Sequence, residues 1–313
     1  MLTYTLQRLM SMVLVMAFVG VGIFVITRTI PGDPATILAG EDASPEAIER
    51  LRRIHGLDQP LPVQFGIWVR EVVTGNLGKS LYFEQPVLRL LIDRAQPTIF
   101  LTIFALVLAI LIGIPAGIVS AVSRGSVVDQ GILGGAMVNA AIPSFLLGLV
   151  LMQYFAVERN WLPVAGYGPP DASILARAAY LILPAISLAI PNSALIARMT
   201  RGSMLDVLGE DYVRTARAKG APAWSVFMKH ALRNASINIL TIVGVIAGSL
   251  LSGVVVIETV FALPGIGQLV MSAVLRRDYP TIQGALIVVA GVYVLINLAV
   301  DLLYAVVDPR IAR

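Results

Sequence analysis

The most polar long stretch in the second half of the chain is GEDYVRTARAKGAPAWSVFMKHALRNA, residues 209–235. It lies between two apolar segments that are each long enough to cross a bilayer. Between these segments seven basic residues outnumber three acidic ones, the basic set being Arg198, Arg201, Arg214, Arg217, Lys219, Lys229 and Arg233. Because short cytoplasmic loops carry an excess of Lys and Arg, we expect this loop to face the cytoplasm.

The same stretch has the pattern of a folded unit. Residues 206–219 contain no proline and no β-branched run, and Glu210 lies four residues before Arg214, a spacing that favours a helix. Gly220 predicts the end of that helix, and a second short helix is predicted over about residues 223–234. A helix–glycine–helix unit between two spans indicates a docking site, although a plain cytoplasmic loop explains the charges on their own.

The composition is that of a membrane protein with several spans. Hydrophobic residues make up 57% of the 313 residues and charged residues 13%, whereas soluble domains carry about 25% charged residues. The absence of cysteine excludes disulfides and thiolate metal sites, and two histidines, His55 and His230, argue against an all-protein zinc or nickel site. The net charge of +4 reflects basic residues beside the spans, so we expect no nucleic-acid partner.

The hydropathy pattern predicts an all-α membrane protein with six transmembrane helices and both termini in the cytoplasm. The first span resembles the apolar part of a signal peptide, but it is long for one and no cleavage site follows it, so we predict an uncleaved helix. The predicted spans cover about residues 9–26, 98–122, 131–157, 178–197, 236–257 and 284–307.

A long polar segment after the first span is predicted to lie outside the cytoplasm. It contains Ser44 before Pro45, which predicts a helix start, and a second helix is predicted over residues 61–74. The sequence Gly78–Lys79–Ser80 resembles the end of a nucleotide-binding loop, but the glycine required before it is Val73, so we reject ATP binding by this chain. The predicted organisation is a first helix at 1–30, an extracytoplasmic region at 31–97, a membrane core at 98–307 with a cytoplasmic coupling loop at 198–235, and a cytoplasmic tail at 308–313.

Glycines and prolines inside the predicted spans mark sites of close packing or bending. Gly113 and Gly117 form a small-residue face for close helix contact, and Pro143 predicts a kink. Two other features each allow two interpretations. The prolines of the fourth span either kink it or bend it around a path, and the small-residue stripe of the fifth span either packs against a helix or lines a pore. These residues are Pro184, Pro191, Gly244, Gly248 and Ser252.

No acidic, basic or histidine side chain lies near the middle of a predicted span, and Asp301 is within the last turns of the sixth. Carriers coupled to protons or sodium bury such groups at mid-depth, so their absence argues against an ion-coupled secondary transporter. No cysteine, H-E-x-x-H or G-x-S-x-G sequence is present, so no catalytic residue is predicted. The energy source is therefore expected on another protein.

Short motifs along the whole chain resemble the membrane subunit of bacterial ABC importers, in the family that carries dipeptides, oligopeptides and nickel. Within that family the resemblance is nearest to the first of the two dipeptide-permease subunits. The motifs include P-G-D-P at residues 31–34, G-L-D-Q-P at 56–60, G-N-L-G at 75–78, E-D-Y-V-R-T-A-R-A-K-G at 210–220, L-R-N-A at 232–235, P-G-I-G at 264–267, R-D-Y-P at 277–280 and D-P-R at 308–310.

The resemblance implies the type I importer fold and assigns the cytoplasmic stretch a role. In such importers the motif E-A-A-x3-G-x9-I-x-L-P forms a coupling helix that docks on the ATPase. This chain has Ala216, Gly220 and Leu232 at matching positions, but Arg214 and Thr215 replace the first two letters, and His230 and Arg233 replace I and P, as is typical of the peptide and nickel branch. The coupling residues implied are Glu210, Asp211, Arg214, Thr215, Ala216, Arg217, Ala218, Lys219 and Gly220.

The resemblance also implies partners, a substrate class and a location. The partners are a second permease subunit forming a heterodimer, two ATP-binding subunits that hold ATP and Mg, and an extracytoplasmic substrate-binding protein, all at the bacterial inner membrane, with no cofactor in this chain. The substrates are small peptides, with dipeptides favoured. The alternatives are nickel or glutathione import, an ion-coupled carrier, and a structural membrane subunit. His230 is interpreted as an interfacial helix residue rather than a nickel ligand.

Polar, uncharged residues at mid-span are candidates for the lining of a substrate path. Ordinary hydrogen bonding between helices explains each of them equally well. The candidates are Asn139, Ser144, Asn192, Ser193, Ser249 and Ser252.

Overall fold

The computed structural model describes residues 2–29, 35–36, 43–54, 56–169 and 171–307. The predicted motif at residues 31–34, His55 and the tail at 308–313 lie outside these residues, as do the side chains of Lys229 and His230. Over the described residues the helices are α1 (Leu2–Thr29), α2 (Pro45–Ile54), α3 (Leu61–Val73), α4 (Val87–Val122), α5 (Val127–Ala141), α6 (Ser144–Leu151), α7 (Ile174–Leu208), α8 (Asp211–Ala218), α9 (Ala223–Ser225), α10 (Leu232–Val260), α11 (Ile266–Leu275) and α12 (Tyr279–Val307).

Two π-helical stretches extend this helical framework. Met152–Glu158 continues α6, and Val226–Ala231 joins α9 to α10. The helix predicted over about residues 223–234 therefore runs into the following span without a break.

Six predicted spans correspond to five long apolar helices and one bent pair. In the described residues α1, α4, α7, α10 and α12 are long and apolar enough to cross a membrane. The pair Val127–Ala141 and Ser144–Glu158 bends by 96°, and it makes a sixth span if it is counted as one. The break falls at Pro143, where a kink was predicted, because proline has no N–H to donate to the preceding turn.

Several helix limits differ from the sequence-based ones. α4 begins at Val87 rather than Thr98, and α7 continues to Leu208, so the first part of the predicted loop at 198–235 is helix. The prediction of a continuous helix across Gly209 is wrong, because α7 ends at Leu208 and α8 starts only at Asp211. The division of the chain at residues 97 and 98 stays a prediction, since helix limits do not locate the bilayer.

The chain forms two compact units, and the larger one contains residues 2–5, 96–268 and 295–307. Within it α7 is the central helix and packs against α5, α6 and α10. Its buried face carries Leu188 and Ile196, which join Leu101 of α4 and Leu250 of α10 in one apolar cluster. The core of this unit is therefore organised around α7.

Glycines let two pairs of helices in the larger unit approach closely. A Cβ at Gly117 would lie 2.5 Å from the carbonyl oxygen of Ala197, and one at Gly113 would lie 2.6 Å from the Ile196 side chain. This geometry confirms the predicted close contact at the two glycines, which is with α7. A Cβ at Gly244 would lie 2.6 Å from Val300, so at this position the small-residue stripe packs a helix.

A buried carboxylate at the end of α10 fixes the turn that follows it. Glu258 is 0% exposed, although it lies just beyond the fifth span predicted at residues 236–257. Its Oε1 accepts a 2.5 Å hydrogen bond from Thr98 Oγ1, and its Oε2 accepts one of 3.1 Å from the Gln268 N–H. A Cβ at Gly265 or Gly267 would collide with the carboxylate, which explains the P-G-I-G sequence.

The smaller unit contains the described residues of 6–95 and 269–294. Phe24 of α1 packs on Phe65 and Trp68 of α3, with ring centroids 5.3 and 5.9 Å away. Near the start of α12, Asp278 is 1% exposed and accepts hydrogen bonds from Ser80 Oγ at 2.5 Å and Thr281 Oγ1 at 2.8 Å. The loop that resembles a nucleotide-binding sequence thus has a structural role in this unit.

We expect Gly117→Ala to lower the free energy of unfolding by about 1–3 kcal/mol, because the added methyl overpacks the contact between α4 and α7. Thermal unfolding of the purified chain in detergent measures the change. Gly131→Ala is the matched control, since its Cβ would meet nothing within 4 Å and alanine favours the helix. Equal effects of the two substitutions would contradict the close-packing argument.

Candidate functional site

The stretch that separates α7 from α10 is folded over its whole length. Gly209 closes α7, and the Glu210 carbonyl accepts hydrogen bonds from the backbone N–H groups of Val213 and Arg214 to start α8. The predicted pairing of Glu210 with Arg214 is not the one observed, because Arg214 pairs with Asp211 at 3.3 Å. Glu210 instead begins the helix through its backbone, since it lies just before the first helical residue.

Gly220 ends α8 as the sequence predicted. Its φ of +80° lies in the left-handed region that glycine adopts without strain. The Gly220 N–H bonds the Arg217 carbonyl at 2.9 Å, and the Ala221 N–H bonds the Ala216 carbonyl at 3.1 Å. This pair of hydrogen bonds is the Schellman motif, which satisfies carbonyls that a helix end leaves without partners.

Two contacts attach α8 to the rest of the larger unit. Val213 is 0% exposed, so this side of α8 faces the protein. Tyr212 Oη accepts a 2.6 Å hydrogen bond from Asn234 Nδ2, which joins α8 to the start of α10. Beneath them Met204 of α7 and Ala235 of α10 belong to one buried apolar cluster. α8 is therefore attached to both helices that flank it.

The opposite side of the stretch is exposed and carries mixed charge. The side chains of Asp211 and Arg214 are 94% and 74% exposed, and their ion pair is therefore weak. Trp224 is 73% exposed, an unusual state for a large aromatic residue in a polar loop. We call this the α8 surface; its exposed members are Glu210, Asp211, Arg214, Thr215, Arg217, Ala218, Lys219, Gly220 and Trp224, with Ala216 half-buried.

Trp224 was not among the residues singled out from the sequence. The signal that identifies it is its position two residues after Pro222, in the first turn of the helix that follows the glycine. Aromatic side chains are enriched at protein interfaces, so its exposure favours a docking function for the α8 surface.

One of the seven basic residues near this stretch has an internal structural role. The guanidinium of Arg201 in α7 bonds both carboxylate oxygens of Asp129, with Nε–Oδ1 and Nη2–Oδ2 distances of 2.7 and 2.8 Å. Asp129 is 2% exposed and also accepts hydrogen bonds from Ser120 Oγ and the Gly125 N–H. This bidentate pair fixes the start of α5 on α7.

The candidate path residues lie on four helices, α5, α6, α7 and α10. Asn139 and Ser144 are half-buried on either side of the 96° bend between α5 and α6. Asn192 and Ser193 donate to carbonyls of their own helix, at Leu188 and Ile190. Ser249 and Ser252 are exposed on α10. Among the described residues no group of three or more acidic, histidine or cysteine side chains is placed to hold a metal ion.

The fold and the site define a polytopic helical membrane protein with a structured, charged segment between two spans. Residues 113–313 match the family described as the inner membrane component of binding-protein-dependent transport systems, and residues 1–102 match the N-terminal region of that component. The chain therefore belongs to this family, and it is an inner-membrane transport component with several spans.

Relatives are similar over almost their full length. The chain is 45% identical over 308 residues to a probable peptide ABC transporter permease of Sinorhizobium fredii, covering 98% of both chains. It is 42% identical to a dipeptide transport system permease protein of Alkalihalophilus pseudofirmus and 41% identical to a glutathione transport system permease protein of Escherichia coli, covering 99% of each chain in both cases.

Solved structures confirm the fold class. An inward-facing structure of the MetNI methionine ABC transporter superposes with a TM-score of 0.57 at 19% identity, covering 70% of this chain and 96% of that one. An amino acid ABC transporter gives a TM-score of 0.51 at 18% identity, with 71% and 94% covered. The larger part of the chain thus has the type I ABC importer fold.

We expect Val213→Ala to increase amide hydrogen exchange in α8 about tenfold, because two buried methyl groups stabilise its attachment by about 1.5 kcal/mol. Exchange over residues 211–218, read by mass spectrometry, measures this change. Arg217→Ala on the exposed side is the control and should leave exchange unchanged. The same acceleration in both variants would show that Val213 does not anchor the helix.

Proposed function

We propose that this chain is the permease subunit of an ATP-driven importer of small peptides, with dipeptides as the favoured substrate. The observation that carries the proposal is its similarity over 98% of its length to a probable peptide permease, together with 42% identity to a dipeptide permease. Glutathione, itself a small peptide, is the second candidate substrate because a glutathione permease is 41% identical.

The α8 surface is proposed as the docking site for an ATP-hydrolysing subunit. Three properties support this role: the segment is folded, its inner side is held by Val213 and Tyr212, and its outer side exposes charged groups and Trp224. A solvated loop needs none of these anchoring contacts. A segment that transmits force from a partner must instead be locally stable, so that it does not unfold under load.

The helices on either side of α8 give the proposed coupling its direction. α7 ends at Leu208, directly before α8, and the chain after the glycine continues from α9 into α10. Because α7 and α10 also pack on each other, a displacement of the α8 surface acts on the centre of the larger unit. ATP-driven movement of the partner would in this way rock the spans and open the path alternately to each side.

The proposed assembly pairs this chain with a second, similar permease. Two ATP-binding subunits, which hold ATP and Mg, would dock on the cytoplasmic side, and a substrate-binding protein would deliver the peptide on the other side. Both termini and residues 198–235 would then face the cytoplasm, and residues 31–97 would face the substrate-binding protein. The chain itself would bind no cofactor.

The proposed substrate path runs past the bend between α5 and α6. Irregular backbone at membrane depth is tolerated where it is enclosed by protein or lines a water-filled cavity, and the 96° bend is such a feature. Asn139 and Ser144 flank it, and they are the strongest candidates of the proposed lining. The others are Asn192, Ser193, Ser249 and Ser252.

Reconstitution tests the proposed function. Proteoliposomes that contain this chain, its permease partner and the ATPases, with the binding protein supplied outside, should accumulate a labelled dipeptide only when ATP is enclosed. Competition by unlabelled dipeptide, glutathione and nickel ranks the substrates. Vesicles without the ATPases are the control, and dipeptide uptake in them driven by an ion gradient would contradict the proposal in favour of a secondary carrier.

Gly220→Val should uncouple ATP hydrolysis from uptake while leaving the protein in the membrane. A valine at φ +80° is strained by about 1–2 kcal/mol, which corresponds to roughly a tenfold shift in the equilibrium constant away from the native turn. The measurement is peptide transported per ATP hydrolysed in the same vesicles, which should fall about tenfold.

Gly220→Asn is the matched control for this variant. No atom lies within 4 Å of the position of an added Cβ, and asparagine tolerates the left-handed region, so coupling should persist. Full coupling in the valine variant would count against the α8 surface as the mechanical contact.

A further inference from the structure

Asp129 joins three helices of the larger unit through one carboxylate. It lies in the first turn of α5, where its backbone N–H donates to the Ser126 hydroxyl that caps the helix. Its carboxylate accepts hydrogen bonds from Ser120 Oγ near the end of α4 and from the Gly125 N–H in the turn between α4 and α5. Its other partner, Arg201, lies 72 residues further along the chain, on α7. Asp129 therefore connects the adjacent ends of α4 and α5 to α7.

The contact between Asp129 and Arg201 is directional and largely shielded from solvent. Both carboxylate oxygens are bonded to one guanidinium, at 2.7 and 2.8 Å. The side chains of Arg201 and Asp129 are 22% and 3% exposed, whereas those of the surface pair Arg214 and Asp211 are 74% and 94% exposed. A bidentate, charge-assisted pair has a defined geometry, and salt screens it weakly where water is excluded. The pair is therefore a rigid link between α5 and α7.

This link lies between the α8 surface and the proposed substrate path. Arg201 lies about two helical turns, or roughly 10 Å, before Leu208, the last residue of α7. Asp129 lies roughly 15 Å along α5 from Asn139, which is beside the 96° bend. A displacement that enters α7 from α8 thus reaches the link before it reaches the bend.

The side of α5 that carries Gly131, Gly134 and Gly135 faces open space among the described residues. A Cβ at any of these glycines would meet no atom within 4 Å. α5 packs against α7, and packed helices can slide past one another by small shear movements. Such sliding would break the two short hydrogen bonds between Asp129 and Arg201, so the pair opposes it.

We propose that Asp129 and Arg201 are positioning residues for transport: the pair makes α5 follow α7, so that movement of the α8 surface reaches the bend flanked by Asn139 and Ser144. The inference rests on the proposed function, because it assigns the route from the ATPase contact to the proposed path. Without the pair, α7 would still respond to the ATPase while α5 lagged behind it. ATP would then be hydrolysed with little peptide moved.

The double variant Asp129→Asn/Arg201→Met tests the link without leaving an unpaired buried charge. Asparagine keeps an acceptor for Ser120 Oγ, and replacing both partners of a buried ion pair is often neutral for stability. The measurement is labelled dipeptide transported per ATP hydrolysed, in proteoliposomes that contain the complete transport complex. We expect this ratio to fall at least about fivefold, while the thermal unfolding temperature stays close to that of the wild type.

Asp278→Asn is the matched control for the loss of a buried carboxylate. Asp278 is 1% exposed and accepts hydrogen bonds from the Ser80 and Thr281 hydroxyls, but it belongs to the smaller unit. Its replacement should lower stability and leave the ratio of peptide to ATP unchanged. Arg201→Lys keeps the charge but not the planar fork, so its ratio should lie between those of the wild type and the double variant.

Distances between spin labels report the movement of α5 relative to α7. The chain has no cysteine, so labels can be attached at Val127→Cys on α5 and Met199→Cys on α7, both exposed positions. In the otherwise wild-type chain, the distance between the labels should be the same before and after ATP is trapped on the complex. In the Asp129→Asn/Arg201→Met background it should match the wild-type distance at rest and change when ATP is trapped.

Each contrary result has a distinct meaning. A wild-type ratio and a constant label distance in the double variant would overturn this inference and leave the proposed function standing. A label distance that has already changed before ATP is added would make the pair a brace of the resting fold and not a link in transport. Wild-type vesicles without ATP-driven uptake would contradict the proposed function itself.

Discussion

The close approach of α4 to α7 is the constraint on which the rest of the larger unit depends. In a bilayer the hydrophobic effect does not drive helices together, so association relies on van der Waals contact between backbones that come close. Gly113 and Gly117 allow that contact, and α7 is then placed to pack against α5, α6 and α10. Since α7 also leads directly into α8, the geometry of the α8 surface follows from the same contact.

Buried polar groups near helix ends add specificity to this packing. Asp129, Glu258 and Asp278 are almost fully buried, and each accepts hydrogen bonds from a serine or threonine hydroxyl and from backbone N–H groups. An unpaired carboxylate in an apolar medium is costly, so these groups stabilise only the arrangement in which their partners are present. They therefore fix loops, within each unit, to the ends of particular helices.

The polar residues of the α8 segment divide into an inner set and an outer set. At α8 the backbone and the inner side chains are satisfied, and the outer charged groups are left to solvent, which suits a protein partner that docks and releases.

The sequence by itself determined the all-helical class, the positions of the apolar spans, the break at Pro143, the stop at Gly220 and the family, because each depends on local composition, on residue-specific backbone limits or on a contiguous motif. It missed the burial of Glu258, the Asp129–Arg201 pair and the exposure of Trp224. The partners of Asp129, Glu258 and Asp278 lie 72, 160 and 198 residues away in the chain, and no local pattern shows that such residues meet. Only the tertiary structure decided which charges are buried and which remain available for binding, because burial depends on the helices that pack around a residue.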